Sequence, residues 1–234
     1  MRIMTRNVIE ENSSIVMTNI DPNYPIENVY SNMLEEIMQS SDSNTVITVA
    51  FDIDKIIDSI FFGYHNASNV TFVFKNSAGS TLGTEIFAFP QIYDKEYITK
   101  LSTVRSIEIT MSTSEQYLFI GNIACGKYTQ MYNVRVPMTV EHVDSSIFSQ
   151  TNGGQFLYRT GITLQSFNVD CDKITDEQVA EFEAAYSYVH KGKTWWIDRT
   201  EDQDNQMLCA FDANYHTTRR STLTDLSFSI KESR

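Results

Sequence analysis

Residues 45–51 read TVITVAF and set the pattern for the first half of the chain. Ile47, Val49 and Phe51 fall on one face of an extended strand, because successive side chains on a strand point to opposite sides. Similar segments follow as far as residue 124, separated by turn residues: IDSIFFGYH, VTFVFK, GTEIFAF, VRSIEITMS and QYLFIGNIA. The lack of long amphipathic helices between them argues against a βαβ arrangement. The pattern predicts a mainly β fold that begins with an antiparallel β-sandwich.

One helix is predicted in the second half, and both of its ends carry sequence signals. Thr175 and Gln178 form a capping box, with Ile174 as part of a hydrophobic staple and Gly192 as the residue that ends the helix. Apolar residues recur at helical spacing between these ends, at Val179, Phe182, Tyr186 and Val189. The β-like segments around the helix are TGITLQSFNVD, KTWWIDR, QMLCAFD and LTDLSFSIKE. Together they predict a small α+β domain with one helix on an antiparallel sheet.

The predicted division of the chain has four parts. An N-terminal arm (1–19) precedes the β-sandwich domain (20–135), and a linker (136–155) leads to the α+β domain (156–234). The linker is placed there because it is largely polar and contains the chain breaker Asn152-Gly153-Gly154.

Charge and composition exclude several classes of protein. The chain has 18 Lys and Arg against 30 Asp and Glu, a net charge of −12, so nucleic acid and anionic membranes are not expected as partners. No stretch approaches the roughly 20 apolar residues of a membrane span, and the first residues lack the apolar centre of a signal peptide. Cys125, Cys171 and Cys209 are too few and too scattered for a disulfide framework. They are expected to be reduced thiols in a chain made in a cytoplasm.

Sequence motifs of catalytic and metal sites are absent. The chain has no G-x-S-x-G, and no two of its histidines stand at the spacing of a zinc-binding pair on one helix. Residues 52–54 and 202–204 begin like calcium-binding loops, but neither loop continues with the required Gly and Glu. We therefore expect a non-enzymatic protein with no catalytic residues, no metal and no cofactor.

The pair Trp195-Trp196 is a candidate interface. Aromatic residues make up 12% of the chain, and neighbouring residues of a strand point to opposite sides. One indole is therefore expected in the core and the other at the surface, where it would contact another protein or a sugar. The alternative is that the pair packs against the predicted helix.

Several short motifs between residues 20 and 124 are similar to those of one family. They are DPNYPIENVY at 21–30, the strand TVITVAFD, IFFGYHNA at 60–67, SIEI at 106–109 and YLFIGNI at 117–123. They resemble the N-P-x-Y-P-x-x-N-L, T-I-T-V-D-L, I-x-G-H-N and I-G-x-I motifs of discoidin-like, galactose-binding-like sandwiches in virion proteins of tailed bacteriophages. Tyr64, between Gly63 and His65, departs from the family's turn. The resemblance implies a jelly-roll or discoidin-like sandwich.

A second set of features lies within residues 156–231. The segment LYRTGITLQSFNVDCDKITDEQVAEFEAAYSYVHKGKTWWIDR, with a helix, a glycine and a W-x-D strand, resembles minor tail and distal tail components of phages. The resemblance implies a structural subunit of the virion, in the tail, the tail tip or the neck or adaptor region. Such a subunit would be made in the host bacterial cytoplasm and assemble with itself into a ring and with other virion proteins. Segments 1–19, 39–44 and 144–154 would become ordered on assembly.

The discoidin-like resemblance also implies an alternative function, a carbohydrate-binding module displayed on the virion or free. Its candidate ligand residues, in the loop after the strand IDSIFFGYH, are Tyr64, His65, Asn66 and Asn69. The structural alternative for these four is ordinary turn chemistry. A third hypothesis, a glycan-cleaving enzyme, requires two carboxylates at a defined separation, which a sequence does not reveal.

Overall fold

The computed structural model describes residues 1–30, 36–88, 93–135, 139–144, 146–150, 156–159, 163–189, 195–198, 206–211, 214–220 and 222–232. Within these ranges the helix α1 is Asp176–Val189, and two short 3₁₀ helices are Val8–Glu11 and Ile26–Tyr30. The strands, in chain order, are Arg2–Met4 (β1), Ser14–Met17 (β2), Met38–Gln39 (β3), Asn44–His65 (β4), Asn69–Lys75 (β5), Thr81–Ala88 (β6), Tyr93–Ser112 (β7), Phe119–Gly126 (β8), Thr129–Gln130 (β9), Thr139–Asp144 (β10), Ile147–Gln150 (β11), Phe156–Arg159 (β12), Thr163–Ile174 (β13), Trp195–Asp198 (β14), Gln206–Phe211 (β15), His216–Arg220 (β16) and Leu223–Glu232 (β17). The predicted mainly β, antiparallel fold is confirmed.

The chain divides into two compact units. Unit 1 contains Met1–Gln130 and Trp195–Met207, and unit 2 contains Met131–Thr194 and Leu208–Ser233. The division therefore differs from the predicted one, because a segment that follows the helix returns to the first unit. The reason is strand pairing, since β14 lies antiparallel to β1 at the other end of the chain.

The N-terminal segment 1–19 is not the separate arm that its polar residues suggest. β1 pairs with β14 and β9, β2 pairs with β4, and Ile3, Met4 and Ile9 are buried. The segment 39–44 is hydrogen-bonded to another part of the same chain without any partner protein, because the Ser40 amide donates to the Leu118 carbonyl at 2.8 Å. Of the segment 144–154, residues 145 and 151–154 lie outside the described residues.

Two long strands build the sandwich of unit 1. β4 has 22 residues and β7 has 20, and they pair with each other in two stretches separated by register shifts. The first stretch of β4, residues 44–50, lies between β2 and β7, and β5 and β6 extend this first layer beyond β7. The second stretch, residues 59–63, lies between β7 and β8, and β3 extends this second layer. TVITVAF and IDSIFFGYH are thus one continuous strand that changes layer, rather than two strands.

The core of the sandwich lies between these layers. Alternate residues of the first layer, such as Val49 and Phe72, and of the second, such as Phe62 and Ile120, belong to one buried cluster. Phe61 points the opposite way and is nevertheless fully buried. The strands β14, β1 and β9 of unit 1 pair side by side and cover this outer side of the second layer, where Trp196 stacks on Phe61.

Unit 2 contains the helix and an antiparallel sheet. β13 pairs with β10 and β17, and β17 also pairs with β15 and β16, while β11 and β12 form a separate hairpin. The helix packs on this sheet through Phe182, whose ring centroid is 4.9 Å from that of Phe228. The predicted α+β arrangement is confirmed, and so is the burial of Phe182 and Val189.

The predicted capping box is present at the start of the helix. The Thr175 amide donates to Gln178 Oε1 at 2.9 Å, and the Gln178 amide donates to Thr175 Oγ1 at 3.3 Å. Ile174, the first residue of the staple, is buried. The predicted end of the helix at Gly192 lies outside the described residues.

Replacing the capping side chain gives a first prediction. Thr175→Ala removes one acceptor from the first turn, so we expect the free energy of unfolding to fall by about 1 kcal/mol. Glu181→Ala is the matched control, because Glu181 is exposed in the middle of the same helix and its loss should change stability by less than about 0.5 kcal/mol. Urea denaturation of both variants measures the difference, and equal midpoints would contradict the role of the cap.

Candidate functional site

Three loops meet at one end of the sandwich of unit 1. They contain residues 40–43, 64–69 and 113–118, and we call this region the loop end. The Thr113 amide donates to the Ser43 carbonyl at 2.9 Å, and the Ser68 amide donates to the Ser112 carbonyl at 2.7 Å. These backbone hydrogen bonds join segments that are distant in the sequence into one surface.

Asn66 holds two of these loops together. Its side-chain Nδ2 donates to the Tyr117 carbonyl at 2.9 Å and to Glu115 Oε2 at 3.1 Å, and its Oδ1 accepts from the Phe119 amide at 2.9 Å. The Thr113 hydroxyl donates to the Asn66 carbonyl at 2.7 Å. Because its amide group is bonded at both ends, Asn66 organises the loop end, and a ligand would meet the residues around it.

Tyr64 has the most unusual backbone at this surface. Its φ is 54°, in the left-handed region that bulky residues rarely adopt. Its side chain is 44% exposed, and its ring lies 5.8 Å from the ring of Phe119. A conformation of this kind costs on the order of 1–3 kcal/mol in a bulky residue, and such strained residues cluster at functional sites. The geometry therefore exposes the Tyr64 ring to solvent while Phe119 packs beside it.

The other predicted ligand residues have different environments. His65 is partly buried, with its ring 4.2 Å from that of Phe62 and its Nδ1 accepting from the Ala67 amide at 3.1 Å. Asn69 is exposed at the start of β5, where its backbone pairs with β6 and β7. His65 and Asn66 therefore shape the turn, whereas Tyr64 and Asn69 offer exposed side chains, and the ligand role of all four stays a prediction.

Sequence reasoning missed the loop 113–118. Tyr117 is 43% exposed, and Ser114, Glu115 and Gln116 before it are exposed as well. This loop lies about fifty residues from Tyr64 along the chain, and only the pairing of β4 with β8 brings the two together. The polar run that ends in a tyrosine was the available signal. Neither 40–43, 64–69 nor 113–118 contains a Lys or Arg, whereas Asp42 and Glu115 are exposed.

Trp196 is the buried member of the tryptophan pair, and the interface role of the pair stays a prediction. Trp196 is 2% exposed and stacks on Phe61 with a centroid distance of 5.4 Å, while its indole Nε1 donates to Asn122 Oδ1 at 3.0 Å. It is therefore part of the interior of unit 1, and its partner is the sandwich rather than the helix. This position follows from strand pairing, because β14 pairs with β1. The side chain of Trp195 lies outside the described residues.

A partly buried polar network connects β14 and β1 to the sandwich. The Arg2 guanidinium lies 4.2 Å from the centre of the Tyr97 ring, and the Tyr97 hydroxyl donates to Asp198 Oδ2 at 2.6 Å. Burial, together with the hydrogen bond to the Asp198 carboxylate, raises the pKa of Tyr97, so this hydroxyl remains a donor. Asp198 is buried, and we assign the network to stability.

Cys125, Cys171 and Cys209 are free and buried. Burial raises the pKa of all three thiols, that of Cys171 to about 12, so they are protonated at neutral pH. Within the described residues, no group of three or more His, Cys, Asp or Glu could hold a metal ion. In the same part of the chain, no helix has the length and apolar character needed to cross a membrane.

Comparison with known proteins finds similarity only among solved structures. No family model matches the chain, and no curated protein matches it. The lectin domain of lectinolysin, complexed with Lewis B antigen, has a TM-score of 0.46 and 10% identity over 53% of this chain and 97% of that domain. A Streptococcus pneumoniae fucose-binding module has a TM-score of 0.45 and 10% identity over 52% and 98%. A Ruminococcus gnavus GH29 fucosidase has a TM-score of 0.48 and 17% identity, over 55% of this chain and 28% of the enzyme.

Proposed function

We propose that unit 1 is a carbohydrate-binding module whose ligand lies at the loop end. The observation that carries this proposal is Tyr64, an exposed aromatic ring on a strained backbone and supported by Phe119. An exposed aromatic face can stack on the C–H face of a sugar ring, and nearby polar groups can then bind the hydroxyls. Several of the similar structures bind glycans, and we extend that ligand class to this chain because of Tyr64.

The loop end carries exposed polar groups that suit an uncharged sugar. Tyr117, Asn69 and Glu115 are exposed and offer a hydroxyl, an amide and a carboxylate. With carboxylates and no Lys or Arg, the loop end would repel a sulfated or carboxylated glycan. The proposed ligand class is therefore a neutral oligosaccharide.

A glycan array that contains both neutral and acidic oligosaccharides tests this proposal. We expect neutral glycans to bind and their sulfated or carboxylated forms to bind less. The absence of any bound glycan, or a preference for acidic ones at low salt, would contradict the proposed ligand class.

Removal of the exposed rings locates the site. Tyr64→Ala and Tyr117→Ala are each expected to weaken binding of the best neutral glycan by about fivefold, because each removes a stacking surface worth about 1 kcal/mol. Tyr188→Ala is the matched control, since Tyr188 is a similarly exposed tyrosine on the helix of unit 2. Isothermal titration calorimetry measures the change, and unaltered affinity in both loop-end variants would place the ligand elsewhere.

The virion-subunit hypothesis stays a prediction. None of the three structures described above is a virion or tail protein. Assembly into a ring, other virion proteins as partners and location in the virion likewise stay predictions from the sequence resemblance.

A further inference from the structure

The loop 113–118 is folded around the side chain and carbonyl group of Asn66. Two hydrogen bonds run from Asn66 Nδ2 into this loop, and the Thr113 hydroxyl donates to the Asn66 carbonyl. Inside the loop, the Glu115 amide donates to Thr113 Oγ1 at 3.3 Å. Leu118 at the end of the loop is fully buried in the core. These contacts fix the course of the loop and the direction of its exposed side chains.

The Glu115 carboxylate is one of these oriented groups. Its Oε2 accepts from Asn66 Nδ2 at 3.1 Å, while the residue stays exposed. Within the described residues, no protein group donates to its second oxygen, Oε1. A carboxylate oxygen has two acceptor sites, so Oε1 can bind hydroxyl groups of a ligand. A glutamate normally loses side-chain freedom when it binds a ligand, and the hydrogen bond to Asn66 lowers that cost.

Asn66 also connects this carboxylate to the aromatic part of the loop end. Its Oδ1 accepts from the Phe119 amide, and the Phe119 ring lies beside that of Tyr64. Tyr64 is two residues before Asn66, so their Cα atoms are at most about 7 Å apart. One side chain therefore holds the acceptor for sugar hydroxyls and the support of the exposed ring in a single arrangement.

We propose that Glu115 is the specificity-determining residue of the loop-end site and that Asn66 is its positioning residue. This inference rests on the proposed glycan-binding function and names the contact that selects the ligand. Glu115 Oε1 accepts a hydrogen bond from a hydroxyl group of the neutral sugar. A hydrogen bond to a charged acceptor is stronger than one between neutral groups, so a glycan without that hydroxyl binds less well. A sulfate in its place is repelled by the carboxylate.

Glu115→Gln tests the role of the carboxylate, because glutamine keeps an oxygen for Asn66 and removes the charge. We expect the affinity for the best neutral glycan of the array to fall by about tenfold, and the affinity for its sulfated form to rise. Opposite changes of this kind do not result from partial unfolding. Asp52→Asn is the matched control, since it removes the same charge from an exposed residue of unit 1 outside the three loops. Isothermal titration calorimetry measures all affinities.

Monodeoxy forms of the same neutral glycan identify the hydroxyl group. We expect the wild type to bind one of these forms about tenfold more weakly than the parent glycan. Glu115→Gln should bind that form and the parent glycan with nearly equal affinity, because either change alone already removes the hydrogen bond. The other monodeoxy forms should keep the full difference between the wild type and Glu115→Gln.

Asn66→Asp tests the positioning role. Aspartate has the shape of asparagine but no N–H group, so its carboxylate faces the Glu115 carboxylate and the Tyr117 carbonyl. We expect neutral-glycan affinity to fall by about tenfold. Combined with Glu115→Gln, the like charge is removed and an N–H is supplied to the new carboxylate. The double variant should therefore lose less affinity than the product of the two single losses. Circular dichroism checks that all variants are folded.

Each outcome decides the inference. If the wild type binds a neutral glycan and Glu115→Gln changes neither neutral nor sulfated affinity, Glu115 does not determine specificity, and the proposed function still stands. An equal loss in Asp52→Asn would show that the overall charge, rather than Glu115, controls binding. Single losses that simply multiply in the double variant overturn the role of Asn66. A wild type that binds no glycan overturns the proposed function as well, so the two failures are distinguishable.

Discussion

Trp196→Ala is expected to lower the free energy of unfolding by about 3–5 kcal/mol, the largest effect of any substitution discussed for this protein. The indole stacks on Phe61 and is almost fully enclosed, so its removal leaves a cavity between β14 and the second layer of the sandwich. The Asn122 side chain also loses the hydrogen bond that its Oδ1 accepts from the indole N–H. Chemical denaturation measures the loss.

Trp196→Phe separates the two contributions. Phenylalanine keeps an aromatic ring on Phe61 but removes the donor to Asn122, so we expect a smaller loss of about 1–3 kcal/mol. If Trp196→Ala costs less than about 1 kcal/mol, the ring is not enclosed and β14 does not pack on β4 as described. An exposed Trp196 would instead make this residue the surface member of the tryptophan pair.

Gly126→Ala is expected to lower the free energy of unfolding by about 1–3 kcal/mol and to loosen the N-terminal segment. A Cβ at this position would collide with the backbone carbonyl oxygen of Arg6 and touch the Met4 sulfur. The carbonyl belongs to the backbone and cannot rotate away as a flexible side chain does. Only displacement of residues after β1 relieves the collision.

Gly79→Ala is the matched control for this substitution. Gly79 has a φ of 77° and no atom within 4 Å of a built Cβ, so alanine meets backbone strain there but no collision. We expect a cost of about 1 kcal/mol without any change at the N-terminus. Limited proteolysis distinguishes the two variants, because only Gly126→Ala should accelerate cleavage before β2. Equal cleavage of both variants would contradict the close approach of Arg6 to Gly126.

Local chemistry explains what could be predicted. The capping box of Thr175 and Gln178 and the apolar spacing of Phe182 and Val189 involve residues within one helix, so the sequence contains the whole signal. The alternation of Ile47 and Val49 is local in the same way and identifies a strand with one buried face. Neither pattern depends on distant parts of the chain.

Long-range pairing explains what could not be predicted. β1 has three residues, too few for a pattern, and only its position between β14 and β9 makes it a strand. The same pairing decides that Trp196 is the buried member of the tryptophan pair, a choice that the alternation of the strand leaves open. At the loop end, Tyr64 was identified from its turn, but Tyr117 joined it only through the pairing of β4 with β8.

The sequence by itself determined the mainly β class, the capped helix and its sheet, and a candidate turn at Tyr64, because each is encoded in neighbouring residues. The tertiary structure alone decided that β4 and β7 run through both layers. It also decided that β14 pairs with β1 and which loops lie at the same end of the sandwich as Tyr64. Strand partners are chosen by the summed burial of residues far apart in the chain. That sum has no local signature.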